Sequence, residues 1–315
     1  MTVLPLKKSA FLLSTLIALL PNSLLAGKTS PPIPEQIVLA EQTEIIIDMG
    51  AANRVIAADL LRTLSQEIPA AVCYLHNNVG VDEASDLLRS SIAQFDAALL
   101  ALLNGDETLG IIGAERLHRV TVEIEELIAT WGPIQNAALT VLDDPSDETA
   151  VATIFDAADT LLDATYHLLS EIEAEYSNPV ELLQSDVLLL EVSGRLAMMT
   201  QRMAYEACRI WSGDGSEALI ADLQKTISQF EVGMHALANG MPELGIKPAP
   251  TPEIAQNLEF VAADWVVING YLDAAISGAE MSVADRADLY HLLAVKLHKV
   301  EELEVLYQTY SKRVY

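Results

Sequence analysis

The feature of the sequence that most constrains the fold is an internal duplication. A shift of 135 residues superposes residues 60–111 on residues 195–246 with 15 identities in 52 positions and no gap. The matches pair Cys73 with Cys208 and include a loop in which Asn-Gly is followed by Leu-Gly-Ile. Two helices rich in alanine and leucine share some positions by chance, but a repeated loop of this kind indicates common descent. The chain is therefore predicted to contain two copies of one structural unit.

Each copy is predicted to be helical. Apolar residues recur at intervals of three and four, as in Leu61, Leu64, Ile68 and Val72, and no segment alternates with the period of two that is typical of strands. Aromatic residues make up only 5% of the 315 residues, which favours helices packed on helices over sandwiches and barrels. Turn residues divide the chain into about eight helices. The expected fold class is all-α, with two tandem antiparallel four-helix bundles after a signal peptide.

The N-terminus has the composition of a secretory signal peptide. Lys7 and Lys8 precede an apolar stretch, and Ala26 ends a plausible cleavage site. The apolar stretch is shorter than the ~20 residues that span a bilayer, so an uncleaved anchor is the weaker alternative. We therefore expect a periplasmic protein. Its predicted divisions are a signal peptide (1–26), a linker (27–40), a first bundle (41–177) and a second bundle (178–315).

Charge and motif content exclude several classes of function. The formal net charge is −27, from 45 acidic and 18 basic residues, so the chain repels phosphate backbones and is not expected to bind nucleic acid. The sequence has no nucleophile elbow, Walker loop or dinucleotide fingerprint. A Glu-x-x-His motif ending at His118 arises easily in acidic helices and predicts no metal site. We expect neither enzymatic activity nor a cofactor.

The segment from Ser193 to Arg202 carries a family resemblance. It resembles the signature of the PilJ-type sensory domain, the N-terminal domain of type IV pili methyl-accepting chemotaxis transducers, which is related to the periplasmic domain of nitrate/nitrite sensor kinases. That signature is Ala-Gly-Arg-Gln-Arg-Met-Leu-Ser-Gln-Arg. The match here consists of Gly194, Arg195, Met198, Gln201 and Arg202, with Thr200 in place of serine and Ala197 in place of the second arginine. The first copy is more degenerate and keeps Ala58, Arg62, Ser65 and Gln66.

The resemblance implies a periplasmic helix bundle that senses small molecules and contacts an anion through an arginine. The candidate ligand-binding residues are Arg62, Ser65, Gln66, Arg195, Thr200, Gln201 and Arg202. Arginine suits this role because its planar guanidinium forms paired hydrogen bonds with nitrate or carboxylate. The expected partners are a small anionic ligand and a membrane-bound signalling or pilus-associated protein; the sequence does not fix the oligomeric state. The rival hypothesis is a structural or adaptor protein that has lost the ligand site.

The motif arginines also have a plainer interpretation as surface residues in ion pairs within their own helix. Glu191 lies four residues before Arg195, and Glu206 lies four residues after Arg202, which is the spacing that such pairs need. Ion pairs of this kind are common on exposed helices and contribute little to stability.

The chain contains two cysteines, Cys73 and Cys208, at matching positions of the repeat. A disulfide between them needs Cα atoms within ~7 Å, which bundles placed end to end would prevent. The sequence therefore favours two buried thiols inherited through the duplication, and a disulfide in the oxidising periplasm is the alternative.

Overall fold

The protein folds as a set of packed α-helices, seen in a computed structural model that describes residues 50–176 and 184–313. The predicted signal peptide and linker lie outside these residues. The described residues form no β-strand, and the predicted all-α class is confirmed. The nine helices within these two ranges are α1 (Ala51–His76), α2 (Val81–Asn104), α3 (His118–Asp143), α4 (Glu148–Tyr176), α5 (Gln184–Ser212), α6 (Glu217–Asn239), α7 (Pro252–Ala262), α8 (Trp265–Ser277) and α9 (Val283–Arg313).

The helices form the two predicted four-helix units. In the first copy each helix packs on the next, and α4 packs back on α1. In the second copy α5 packs on α6, the pair α7 and α8 takes the third position, and α9 packs back on α5. Short loops between neighbours make successive helices antiparallel, as the spacing of the turn residues predicts.

The two copies repeat individual contacts as well as helices. Trp131 Nε1 donates a hydrogen bond to Asp96 Oδ1 at 2.7 Å, and Trp265 Nε1 donates to Glu231 Oε1 at 3.0 Å. Each indole stacks on the repeated phenylalanine, with ring centroids 4.2 Å apart in the first copy and 4.7 Å in the second. These equivalent contacts agree with the duplication inferred from the sequence.

The copies lie side by side, with α1 packed on α5. Cys73 contacts its own repeat equivalent, Cys208, and Asp59 contacts its own equivalent, Gly194. Because both contacts join residues separated by the repeat length, α1 and α5 run parallel and in register. An end-to-end arrangement of the bundles is therefore wrong, and the seam between the copies is formed by the two helices that carry the signature.

The second copy has one helix more than expected because its third helix is broken. Asp264 adopts a left-handed backbone (φ +60°) between α7 and α8, whereas α3 runs unbroken through the corresponding region of the first copy. The buried Lys296 of α9 ends α7: its Nζ donates hydrogen bonds to the backbone oxygens of Val261, at 2.5 Å, and Ala263. These bonds satisfy carbonyls that a helix end leaves without intrahelical partners.

Replacement of Lys296 by methionine is expected to lower the free energy of unfolding by about 2 kcal/mol, because it leaves buried carbonyls without donors. Lys299→Met one turn later is the matched control, since Lys299 is one-third exposed and pairs only with Glu302 at 2.8 Å. Chemical denaturation of both variants measures the difference. Equal stability of the two variants would show that Lys296 does not hold the break between α7 and α8.

Candidate functional site

Five of the seven candidate residues are buried on the two helices that form the seam. These are Arg62, Ser65, Gln66, Thr200 and Gln201, each at most 1% exposed. They are covered because α1 packs on α2, α4 and α5 at once, so every residue from 61 to 75 is buried. The structure thus buries most of the predicted site on α1 and α5, the two helices that pack against each other between the copies.

The two hydroxyl groups of this set are engaged by their own helices. Ser65 Oγ donates to the Arg62 carbonyl at 2.7 Å, and Thr200 Oγ1 donates to the Leu196 carbonyl at 2.8 Å. Such bonds to the preceding turn are a common way for serine and threonine to be satisfied inside a helix. Neither hydroxyl therefore has its proton available for a ligand in this conformation.

Arg62 is held by two carboxylates of the protein itself. Its Nη1 donates to Glu191 Oε1 at 3.1 Å and Oε2 at 3.2 Å, and its Nη2 lies 2.5 Å from Asp59 Oδ1. The ring of Tyr166 covers the guanidinium at 5.2 Å from its centroid. Burial opposes the charge of Arg62, but the two carboxylates outweigh it and raise the pKa of the group above its ordinary value. The arginine that the resemblance assigns to an anion is therefore already neutralised.

Two more carboxyl groups surround this ion pair from neighbouring helices. Burial, with the nearby charge of Glu191, raises the pKa of Glu173 on α4 to about 7. Burial, with the charge of Asp59, raises the pKa of Glu304 on α9 well above its ordinary value. Burial also raises the pKa of Asp59 to about 6, against the opposing effect of Arg62. Acidic groups therefore outnumber the single arginine, and the cluster disfavours a second anion.

The glycine of the signature makes this arrangement sterically feasible. A Cβ on Gly194 would overlap Asp59 Oδ2 and lie 2.8 Å from Arg62 Nη2. The motif shows Gly194 but not its role, because the residues that it accommodates lie in the other copy. The sequence does not identify Asp59 and Glu191 as site residues for the same reason.

Replacement of Gly194 by alanine is expected to lower the free energy of unfolding by about 2 kcal/mol, since the new methyl group displaces Asp59 from the buried Arg62. The matched control is Gly132→Ala, at a helical position of α3 where a Cβ meets no atom within 4 Å. There alanine should stabilise the protein by up to ~1 kcal/mol through its higher helix propensity. Thermal melts of both variants measure the change in stability. A Gly194→Ala variant that is more stable than the wild type would contradict the close packing of Gly194 against Asp59 and Arg62.

The structure separates Arg195 and Arg202 from the buried cluster. Arg195 is exposed. Arg202 is 23% exposed; its Nε donates to Glu206 Oε1 at 2.7 Å, and its Nη2 lies 3.4 Å from Asp159 of α4. The intrahelical pair between Arg202 and Glu206 is as the spacing predicts. The predicted pair between Glu191 and Arg195 is wrong, because Glu191 pairs with Arg62 instead.

Arg202 lines a cavity of about 190 Å³ between α4, α5 and the start of α6. Arg209, one heptad further along α5, also lines it; its Nη1 donates to Tyr205 Oη at 3.1 Å, and its Nη2 pairs with Asp214. Burial raises the pKa of Glu206 to about 7, although Arg202 opposes the shift. The residues that line this Arg202 cavity are Asp159, Arg202, Tyr205, Glu206, Arg209, Ser216, Ala218, Leu219 and Asp222.

A disulfide joins Cys73 and Cys208, with the sulfur atoms 2.14 Å and the Cα atoms 6.2 Å apart. The preference for two free thiols is therefore wrong, because it assumed bundles placed end to end. Since α1 and α5 run parallel and in register, equivalent cysteines face each other across the seam. Among the described residues no group of three or more histidine, cysteine, aspartate or glutamate side chains is placed to hold a metal ion.

Comparison with protein families adds the deciding observation. The model of the type IV pili methyl-accepting chemotaxis transducer N-terminal domain, PilJ, matches residues 50–156 and again residues 183–289. The chain belongs to the PilJ family. Each match covers the signature helix of one copy and ends within its fourth helix, so the family relationship includes both halves. No curated protein matches the chain by sequence.

Membership of the PilJ family indicates a sensory module of the chemotaxis transducer type and places the chain in a signalling family rather than an enzyme family. PilJ-type domains work with membrane signalling transducers, which supports a membrane-bound partner. In residues 50–176 and 184–313 no helix is both long and apolar enough to cross a membrane.

Proposed function

We propose that the protein is a periplasmic sensory module in which two PilJ units, fused in one chain, act as a pair and report to a membrane-bound signalling or pilus-associated protein. The observation that carries this proposal is the packing of the two signature helices, α1 and α5, against each other in register. Residues 1–26 support export, and the disulfide suits an oxidising compartment.

The fused pair suits a sensor because the two signature helices share one interface. A ligand that binds one copy beside α5 changes the packing of α5 on α1, and so reaches the other copy directly. A ligand can shift such an equilibrium only by its difference in affinity between two arrangements of the helices. The proposed ligand is small and binds at Arg202, since Arg62 is fully buried and paired with Asp59 and Glu191.

The proposal is tested in the source cells by fractionation and chemical cross-linking. The full chain should appear in the periplasm shortened by about 26 residues, as such signal peptides are removed on export. Cross-linking should join it to a transducer or pilus protein of the membrane fraction. Deletion of residues 1–26 is the control and should abolish both results. Retention of the full chain in the cytoplasm, or cross-links to cytoplasmic proteins alone, would refute the proposal.

The second candidate is an adaptor that has kept the bundles and lost the ligand site. One observation favours it: the arginine of the first signature is neutralised by Asp59 and Glu191 of the same chain. An adaptor should bind its membrane partner in a fixed ratio that small molecules do not alter. Cross-linking yields that respond to a small molecule would instead favour the sensor.

A further inference from the structure

We propose that the Arg202 cavity binds a small α-amino acid, with the ligand carboxylate at Arg202 and Arg209 and its ammonium group at Glu206 and Asp222. The inference rests on the proposed sensory function and names the class of ligand that this module would detect. It concerns a site between α4, α5 and α6, away from the buried cluster around Arg62.

The size of the cavity selects a small ligand. Its volume is about 190 Å³, whereas most drug-sized ligands need pockets of at least ~300 Å³. The cavity therefore favours a molecule with few non-hydrogen atoms, such as alanine.

The cavity offers donors for a carboxylate. Arg202 and Arg209 lie two helical turns apart on α5, and the opening turn of α6 adds Ser216, Ala218 and Leu219. The dipole of α6 favours an anion at this end, although the Ser216 side chain already caps the Leu219 amide at 3.3 Å. Asp159 is a weak competitor for Arg202, since its side chain is 83% exposed and the two groups are 3.4 Å apart. Arg209 pairs with Asp214, whose side chain is 39% exposed. A ligand carboxylate would displace these two exposed carboxylates from the arginines.

The cavity also holds acceptors for an ammonium group. Glu206 is 1% exposed, and its Oε1 accepts the hydrogen bond from Arg202. The neighbouring hydroxyl of Thr226 donates its one proton to the Asp222 carbonyl at 3.0 Å, which leaves the buried Oε2 of Glu206 without a donor. A buried carboxylate oxygen left in this state is costly, and a cationic donor would satisfy it. The exposed Asp222 of α6 also lines the cavity.

The balance of charges excludes simpler ligands. The cavity is lined by two arginines and by three carboxyl groups, those of Asp159, Glu206 and Asp222. A simple anion such as nitrate would meet this excess of acidic groups, and a simple cation would meet the two arginines. A zwitterion carries both signs and can pair with the arginines and with the carboxylates at once.

The site is a property of the second copy alone. The positions of the first copy that correspond to Arg202, Tyr205, Glu206, Arg209 and Asp222 are occupied by Glu67, Ala70, Ala71, Tyr74 and Leu87. The bundle therefore folds without the charged set, and packing of the repeated scaffold does not account for its presence on α5 and α6.

The test is a calorimetric and thermal-melting titration of the mature, oxidised protein. Glycine, L-alanine and L-serine are compared with nitrate, acetate and methylammonium at equal millimolar concentrations. The amino acids are expected to bind and to raise the melting temperature, while the three single-charge probes do neither. Arg209→Gln should weaken L-alanine binding by about tenfold or more, through loss of a charge-assisted hydrogen bond. Arg89→Gln is the matched control, because Arg89 is 63% exposed and pairs with Asp86 of the first copy.

A second variant protects the test against misfolding. Asp222→Asn removes an exposed charge from the ammonium side and is expected to weaken L-alanine binding if Arg209→Gln does not fold. Equal binding of nitrate or acetate would overturn the zwitterion, and L-alanine binding that neither variant changes would overturn the location. If no probe binds, the ligand inference fails, while the export and cross-linking results still decide the proposed function.

Discussion

Reduction of the disulfide between Cys73 and Cys208 is expected to lower the free energy of unfolding by up to about 5 kcal/mol. The bond closes a loop across a sequence separation of 135 residues, and the stabilisation from restricting the unfolded chain grows with loop length. The corresponding fall in melting temperature is on the order of 10 °C for a domain of this size. Melting of the mature protein with and without a reductant measures the effect.

A variant without the disulfide separates this effect from other actions of the reductant. Cys73→Ala combined with Cys208→Ala should melt at the lower temperature whether or not reductant is present. Alanine suits this control because both cysteines are fully buried in an apolar core. If the oxidised and the reduced wild-type protein had the same melting temperature, the disulfide would not stabilise the pairing of the copies.

The sequence predicts the fold well because the duplication and the helical periodicity are local signals. It does not predict the pairing of the copies, because this depends on the face of α1 that α2 and α4 leave uncovered. Asp59, Gln66 and Cys73 are spaced by seven residues on that face, and their equivalents, Gly194, Gln201 and Cys208, repeat the spacing on α5. A spacing of seven is typical of paired helices, and it was the available signal for a parallel seam.

The break between α7 and α8 has no counterpart among the usual signals in the sequence. Neither glycine nor proline occurs between Val261 and Trp265, and Asp264 supplies the left-handed residue instead. The donor that ends α7 is Lys296, more than thirty residues further along the chain. Long-range hydrogen bonds of this kind override local helix propensity, so sequence patterns cannot locate them.

The candidate site, too, is predicted from the sequence only in part. Arg62 and Arg202 are visible as motif residues, but their environments depend on other helices: Glu191 of α5 beside Arg62, and Asp159 of α4 beside Arg202. Whether an arginine can receive a ligand depends on these neighbours. The signature therefore predicts which helices carry the candidate site, but it does not predict which arginine is accessible to a ligand.

The stability of the protein is expected to fall as the pH rises from about 4.5 to about 7, with Glu67 as a main cause. Burial raises the pKa of Glu67 from 4.5 to about 7, although the hydrogen bond that Ser91 Oγ donates to it at 2.5 Å opposes the shift. Two groups of α9 lie near Glu67: the charge of Glu301 adds to the shift, and Tyr290 is buried beside it. A carboxyl group with a raised pKa binds its proton more tightly in the folded state. Folding therefore gains from it below the unfolded pKa and loses that gain above the folded pKa.

Glu67→Gln is expected to remove this loss, because the amide keeps a neutral acceptor for Ser91 at every pH. At 1.36 kcal/mol for each pKa unit, the variant should gain about 3 kcal/mol over the wild type at pH 8 and almost nothing at pH 4. Glu126→Gln on the exposed face of α3 is the matched control and should leave the pH profile unchanged. Denaturant titrations across this pH range measure the three profiles. Parallel profiles for Glu67→Gln and the wild type would mean that Glu67 is already ionised in the folded protein, and that the space between α1, α2 and α9 is wetter than its burial indicates.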